Sequence, residues 1–164
     1  VLYQDEGTKL MRENKELFLH KGSFHKYTGY AHSQLNKMEH GSNSKNPKRL
    51  LSIEKYGFDV KFGYQAVRLM LQLEDILTEH TMDIQKHSQV LRDIRSGKWE
   101  KEQLIQWVKN KEKELKNVYQ ESTLRHSPDE PSVRNILVKV LQMKFGKEVD
   151  FLNNKDTKKP SFNL

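Results

Sequence analysis

The chain has 164 residues and a formal charge of +7, from 29 Lys and Arg against 22 Asp and Glu. That length fits one domain, and the 7 Phe, 6 Tyr and 2 Trp can anchor a core, so the 31% charged fraction does not read as disorder. With no cysteine, the sequence excludes a disulfide, a thiolate nucleophile and a Cys-ligated zinc. The longest apolar run is far short of the ~18 residues a membrane span needs. The opening Val1-Leu2-Tyr3 does not read as a signal peptide, so a soluble, cytoplasmic protein with no membrane partner is expected. The basic surplus fits a polyanionic partner, and it equally fits plain solubility.

The pattern is helical almost throughout. A short helix is predicted to begin near Thr8, followed by the apolar cluster Leu17-Phe18-Leu19. Over Ser23–Glu39 the residues Phe24, Tyr27, Ala31, Leu35 and Met38 recur with the period of one helix face. Gly41 stands where a C-terminal cap belongs, and Gly41-Ser42-Asn43-Ser44 reads as a loop. Asn46-Pro47 reads as a cap and first helical residue of a short helix that Gly57 ends. Asp59 can cap the next helix, Val60 to about Glu79. There Val60, Phe62, Tyr64, Val67, Met70, Leu71, Ile76 and Leu77 cover more than one face, which marks it as central and buried.

Further along, Met82 and Ile84 alternate in a weak strand-like stretch, His80 to Lys86. Ser88 is expected to cap a short helix that Gly97 stops, and Trp99–Tyr119 reads as a long amphipathic helix with the seam Leu104, Val108, Leu115 and Val118. After a polar loop, Pro131 or Ser132 opens a last helix, with Val133, Ile136, Leu137, Val140, Leu141 and Phe145 facing inward. The expected fold class is therefore all-α. A single helical domain, residues 1–152, has five to seven helices around one long buried central helix, and residues 153–164 form a basic flexible tail.

Most catalytic signatures are missing. There is no Gly-rich phosphate loop ending in Gly-Lys-Ser/Thr and no dinucleotide fingerprint. The acid-x-acid pairs Glu100/Glu102 and Glu112/Glu114 sit inside a helix, where residues two apart point in different directions and do not chelate one ion. Of the 7 histidines, His25 and His32 share a helix face two turns apart, too far to hold one metal. No catalytic and no metal-binding residue is assigned.

The basic residues are more informative. Residues 20–49 carry Lys21, Lys26, Lys37, Lys45, Lys48 and Arg49 against the one acid Glu39, with Phe24, Tyr27 and Tyr30 interleaved. Lys61 and Arg68 lie two turns apart on a helix otherwise too apolar to need charges. Long cations in such a place are either paired internally, here by Asp59 or Glu74, or turned toward an anion.

Three segments carry a resemblance. They are Tyr27-Thr28-Gly29-Tyr30-Ala31-His32-Ser33-Gln34-Leu35-Asn36-Lys37-Met38 with Asn46-Pro47-Lys48-Arg49, then Lys55-Tyr56-Gly57-Phe58-Asp59-Val60-Lys61-Phe62-Gly63-Tyr64 with Arg68-Leu69, and Leu91-Arg92-Asp93-Ile94-Arg95-Ser96-Gly97-Lys98-Trp99. From about Leu10 to Gly146 the chain resembles the C-terminal part of the predicted nucleotidyltransferases of the DNA polymerase β superfamily, of the bacterial and phage, RNA-repair-associated type. Members of that family begin with a domain bearing Gly-Ser and a downstream Asp-x-Asp. In this chain neither Gly22-Ser23 nor Gly41-Ser42 is followed by Asp-x-Asp, and Gln65 stands where the family tends to carry His.

The resemblance implies a helical nucleotide- or RNA-binding domain, without activity by itself, in which Lys37, Arg49, Lys61 and Arg68 contact phosphates. Asp59 would orient Lys61, and Tyr30 and Gln34 would line the cleft. No cofactor is expected in this chain, and Mg²⁺ would belong to a catalytic half supplied elsewhere. The alternative is a stand-alone phage or mobile-element protein on the same scaffold that binds a host protein or nucleoprotein complex. The chain reads as the helical half of a larger enzyme or as a free-standing derivative of one.

Overall fold

The computed structural model describes residues 4–41 and 46–146. The described residues form seven α-helices and no strand, so the all-α class holds. They fall into two compact units, one within residues 19–127 and the other made of residues 4–18 with 128–146. The boundaries proposed for the loop at 42–45 and for the tail at 153–164 lie outside the described residues.

The larger unit is built on α4 (Val60–Glu79). Packed around it are α2 (Ser23–Glu39), α3 (Pro47–Tyr56), α5 (Ser88–Arg95) and α6 (Lys101–Glu121). Start and stop chemistry follows the sequence closely. Asn46 Oδ1 accepts the Lys48 amide at 3.0 Å, with Pro47 opening α3. Asp59 Oδ1 accepts the Lys61 amide at 3.0 Å and caps α4. Gly57 and Gly97 take φ of +78° and +74°, a conformation that costs glycine little and ends α3 and α5 cleanly.

Twelve residues of α4 are buried, and Ala66, Val67, Met70 and Leu73 have no exposed surface. They meet Phe24, Ala31, Leu35 and Met38 of α2, Leu91 and Ile94 of α5, and Leu104, Val108 and Leu115 of α6 in one cluster. Gly63 sets the spacing of α4 against α6, because a Cβ there would come within 2.6 Å of Leu104 Cδ1.

In the smaller unit α1 (Glu6–Glu13) packs on α7 (Glu130–Phe145). Helix α1 starts at Glu6 rather than near Thr8. Asp5 is its cap, and the Thr8 hydroxyl closes the reciprocal hydrogen bond one turn in. Helix α7 likewise opens at Glu130, capped by Asp129.

Four expectations are corrected. The stretch 80–86 is not strand: His80, at φ +50°, ends α4, and Met82 and Ile84 both stand exposed in a turn. An alternating pair with no neighbouring edge to bond to has no reason to extend. Ser88 is the first helical residue of α5 rather than its cap, and α6 is shifted two residues later than expected because Glu100 and Gln103 form its capping box. Of the inward set expected on α7, only Ile136 is buried, while Leu137 and Phe145 are exposed. Within its unit α7 has one helical neighbour, so one side of an apolar helix is covered.

Val67 has no exposed surface. Val67→Asp is expected to lower stability by about 3 kcal/mol or more, read as a collapse of the thermal midpoint. An unchanged midpoint would place this face of α4 outside the core.

Candidate functional site

Helix α4 is packed against four other helices, yet it carries polar side chains at 61, 65, 68, 72, 75 and 79. The steps of four and three place Lys61, Gln65, Arg68, Gln72, Asp75 and Glu79 along one face, forming a polar seam on an otherwise apolar helix. Only Lys61 and Arg68 of this seam were singled out by charge; the four others follow from the same spacing, with amides and acids in place of cations.

The acidic end is internally satisfied. Asp75 is 1% exposed and accepts hydrogen bonds from Lys86 Nζ at 2.8 Å and from His87 Nε2 at 2.9 Å. Lys86 also bonds Glu79, and its hydrogen bonds to Asp75 and then Glu79 raise its ammonium above the ordinary lysine range. These contacts hold the 81–87 turn against α4. The N-terminal end is satisfied too. Arg49 of α3 reaches Asp59 Oδ2 through Nε at 2.6 Å and lies over the Phe62 ring, 4.4 Å from its centroid. Asp59 therefore engages Lys61 only through the backbone amide, and its ionic partner is Arg49.

Between these ends the chemistry differs. Arg68 Nε and Nη2 both donate to Gln65 Oε1, at 3.0 and 2.8 Å, and Nη1 donates to Gln72 Oε1 at 3.0 Å. No carboxylate among the described residues pairs with this partly buried guanidinium. Asp59 is taken by Arg49, and Glu74 pairs with Lys111 at 2.9 Å. Amide oxygens fix the orientation of a guanidinium without neutralising its charge, and three of its five N–H groups are used, leaving two. Arg68 is thus a positioned, uncompensated cation with donors to spare. Its field reaches Tyr27 of α2. Burial raises the Tyr27 phenol above its ordinary pKa, and the Arg68 charge opposes that rise.

The remaining sequence candidates sort by position. Lys61 is exposed one helical step before Gln65, and Lys37 is exposed in the last turn of α2. Lys37 lines a shallow groove with Gly29, His32, Ser33, Asn36 and His40. Tyr30 is exposed on α2, whereas Gln34 is 4% exposed and packs inward. His32 Nε2 pairs with Glu112 of α6 at 2.8 Å. Among the described residues no three His, Asp or Glu side chains converge to hold a metal ion. No helix among them is long and apolar enough to cross a membrane.

Comparison with known proteins finds a family. The model of the RNA repair pathway DNA polymerase beta family matches residues 1–130. No curated protein and no solved structure matches the chain.

The proximity of Arg68 to Tyr27 is open to titration. Removing the cation withdraws the one influence that favours the phenolate, so Arg68→Ala should move the Tyr27 phenol still further above its ordinary value near 10. Arg68→Lys should move it less. A Tyr27 titration by NMR that is indifferent to both variants would separate the two side chains.

Proposed function

The chain belongs to the RNA repair pathway DNA polymerase beta family, and on that premise we propose that its larger helical unit binds the phosphates of a nucleotide or RNA. The observation that carries this reading is the Gln65–Arg68–Gln72 arrangement. A guanidinium held by two amide oxygens, with no carboxylate partner among the described residues, is oriented but still charged. Phosphate oxygens are suited to such a fork because they accept two parallel N–H bonds.

In this reading Arg68 is the central phosphate contact. Lys61, two turns toward the N-terminus of α4 on the same face, and Lys37 on α2 add charge along the approach. Arg49 and Asp59 act one step removed, by fixing the start of α4, and so hold the register of the whole seam. The Gly-Ser and Asp-x-Asp signature of nucleotidyl transfer does not occur in this sequence, so the reading concerns binding. A protein partner on the same surface is not needed to account for any of these contacts.

The test is a titration of the protein with a short RNA at several salt concentrations. Each phosphate-contacting cation removed should flatten the slope of log K against log salt by roughly 0.7–0.9. Arg68→Ala is expected to produce that change and weaken binding with the fold intact. Deleting residues 154–164 should change the slope less than Arg68→Ala does. If Arg68→Ala costs stability and leaves binding as it was, Arg68 is a structural residue and the reading fails.

A further inference from the structure

One more cation reaches this neighbourhood, from α5. Arg95, in the last turn of that helix, lays its guanidinium over the Tyr64 ring with Cζ 4.6 Å from the centroid. Tyr64 is partly buried and packs against the main core cluster, so the ring is an anchored surface rather than a swinging one. Arg95 is exposed, and no carboxylate among the described residues pairs with it. A guanidinium is flat and weakly hydrated on its faces. The guanidinium carbon rests against the Tyr64 ring, and the rest of the exposed side chain is open to a ligand.

Position adds the second constraint. Tyr64 and Arg68 are neighbours on α4, about one turn or 6 Å apart along the helix axis. The ring that carries Arg95 therefore belongs to a residue one turn from Arg68 on the same helix. A carboxylate or a lone phosphate would use the N–H edge of a guanidinium, which needs no ring behind it. A planar ligand uses the face, and Arg planes backed by an aromatic ring take nucleobases that way.

We infer that the Tyr64–Arg95 stack is a nucleobase platform: an unpaired base of single-stranded RNA lies on the outer face of Arg95 while a neighbouring phosphate sits at Arg68. This rests on the phosphate-binding reading of Arg68 and adds the class of ligand, because bases inside a duplex are already stacked on both faces and have none to offer. Arg95 is an exposed residue at a helix end, so Arg95→Lys keeps the charge, removes the plane and leaves the core untouched.

The experiment compares a short single-stranded oligoadenylate with an abasic ribose-phosphate oligomer of equal length, each titrated into the wild-type chain, Arg95→Lys and Arg68→Ala. Wild type should bind the oligoadenylate about tenfold or more tightly than the abasic oligomer. Arg95→Lys should reduce that preference to within about twofold while leaving abasic binding and the melting temperature unchanged. Arg68→Ala should weaken both ligands alike. A preference that survives Arg95→Lys, or a wild type with no preference, overturns the platform and leaves the phosphate site standing as long as Arg68→Ala weakens both. An RNA duplex that loses as much from Arg95→Lys as the single strand does also overturns it. If neither oligomer binds wild type, the phosphate reading fails and the platform with it.

Discussion

A helix packed by neighbours on most of its circumference has one strip left where polar side chains can be accommodated, and α4 fills that strip from end to end. The constraint shapes everything else in the larger unit. Each buried polar group on the strip, and the Asp59 cap at its head, must find a partner, because a buried polar atom without one costs more than a hydrogen bond returns. Arg49 answers Asp59, Lys86 and His87 answer Asp75, and Gln65 and Gln72 answer Arg68. The partners come from α3, from the 81–87 turn and from α4 itself, so the demands of one helix fix where its neighbours sit.

The three solutions are not chemically equal. At Asp59 and Asp75 opposite charges meet, and the local field is largely cancelled. At Arg68 three hydrogen bonds orient the guanidinium, two N–H groups are left over, and the charge is not cancelled. Such an arrangement serves stability less well than a carboxylate partner would, and it is the observation on which the proposed phosphate contact rests. The Arg95–Tyr64 pair one turn away is of the same kind, since an aromatic face attracts a cation and leaves its charge in place.

Much of this was legible in the sequence wherever a local rule applied. Asn46-Pro47, Gly57 and Asp59 are readable because caps and stops depend on residues adjacent in the chain. The central place of α4 follows from apolar residues on more than one of its faces. The partner of Arg68 was not legible. Charge reasoning looks for an acid, and Asp59 and Glu74 were at hand, but their cations come from 10 residues upstream and 37 residues downstream. Gln65 drew notice only as a departure from a family pattern, yet it supplies the oxygen shared by two Arg68 donors. Arg95 lies within the segment Leu91–Trp99 that carries the resemblance, but its contact with Tyr64 depends on how α5 crosses α4, which periodicity does not specify. The exposed side of α7 escaped for a related reason: a helical pattern says which residues are apolar and not how many neighbours will cover them.

The account turns on Arg68 being held without being neutralised, and a single change to its clamp addresses that directly. Gln65→Glu keeps the shape of the side chain and the hydrogen bonds to Nε and Nη2 while placing a carboxylate against the guanidinium. With inorganic pyrophosphate as the probe, binding to the Gln65→Glu chain should fall about tenfold or more, the cost of opposing a close charge pair, while the melting temperature holds or rises. Unchanged pyrophosphate binding in a folded Gln65→Glu chain would contradict the account, because Arg68 would then carry no charge that a ligand depends on.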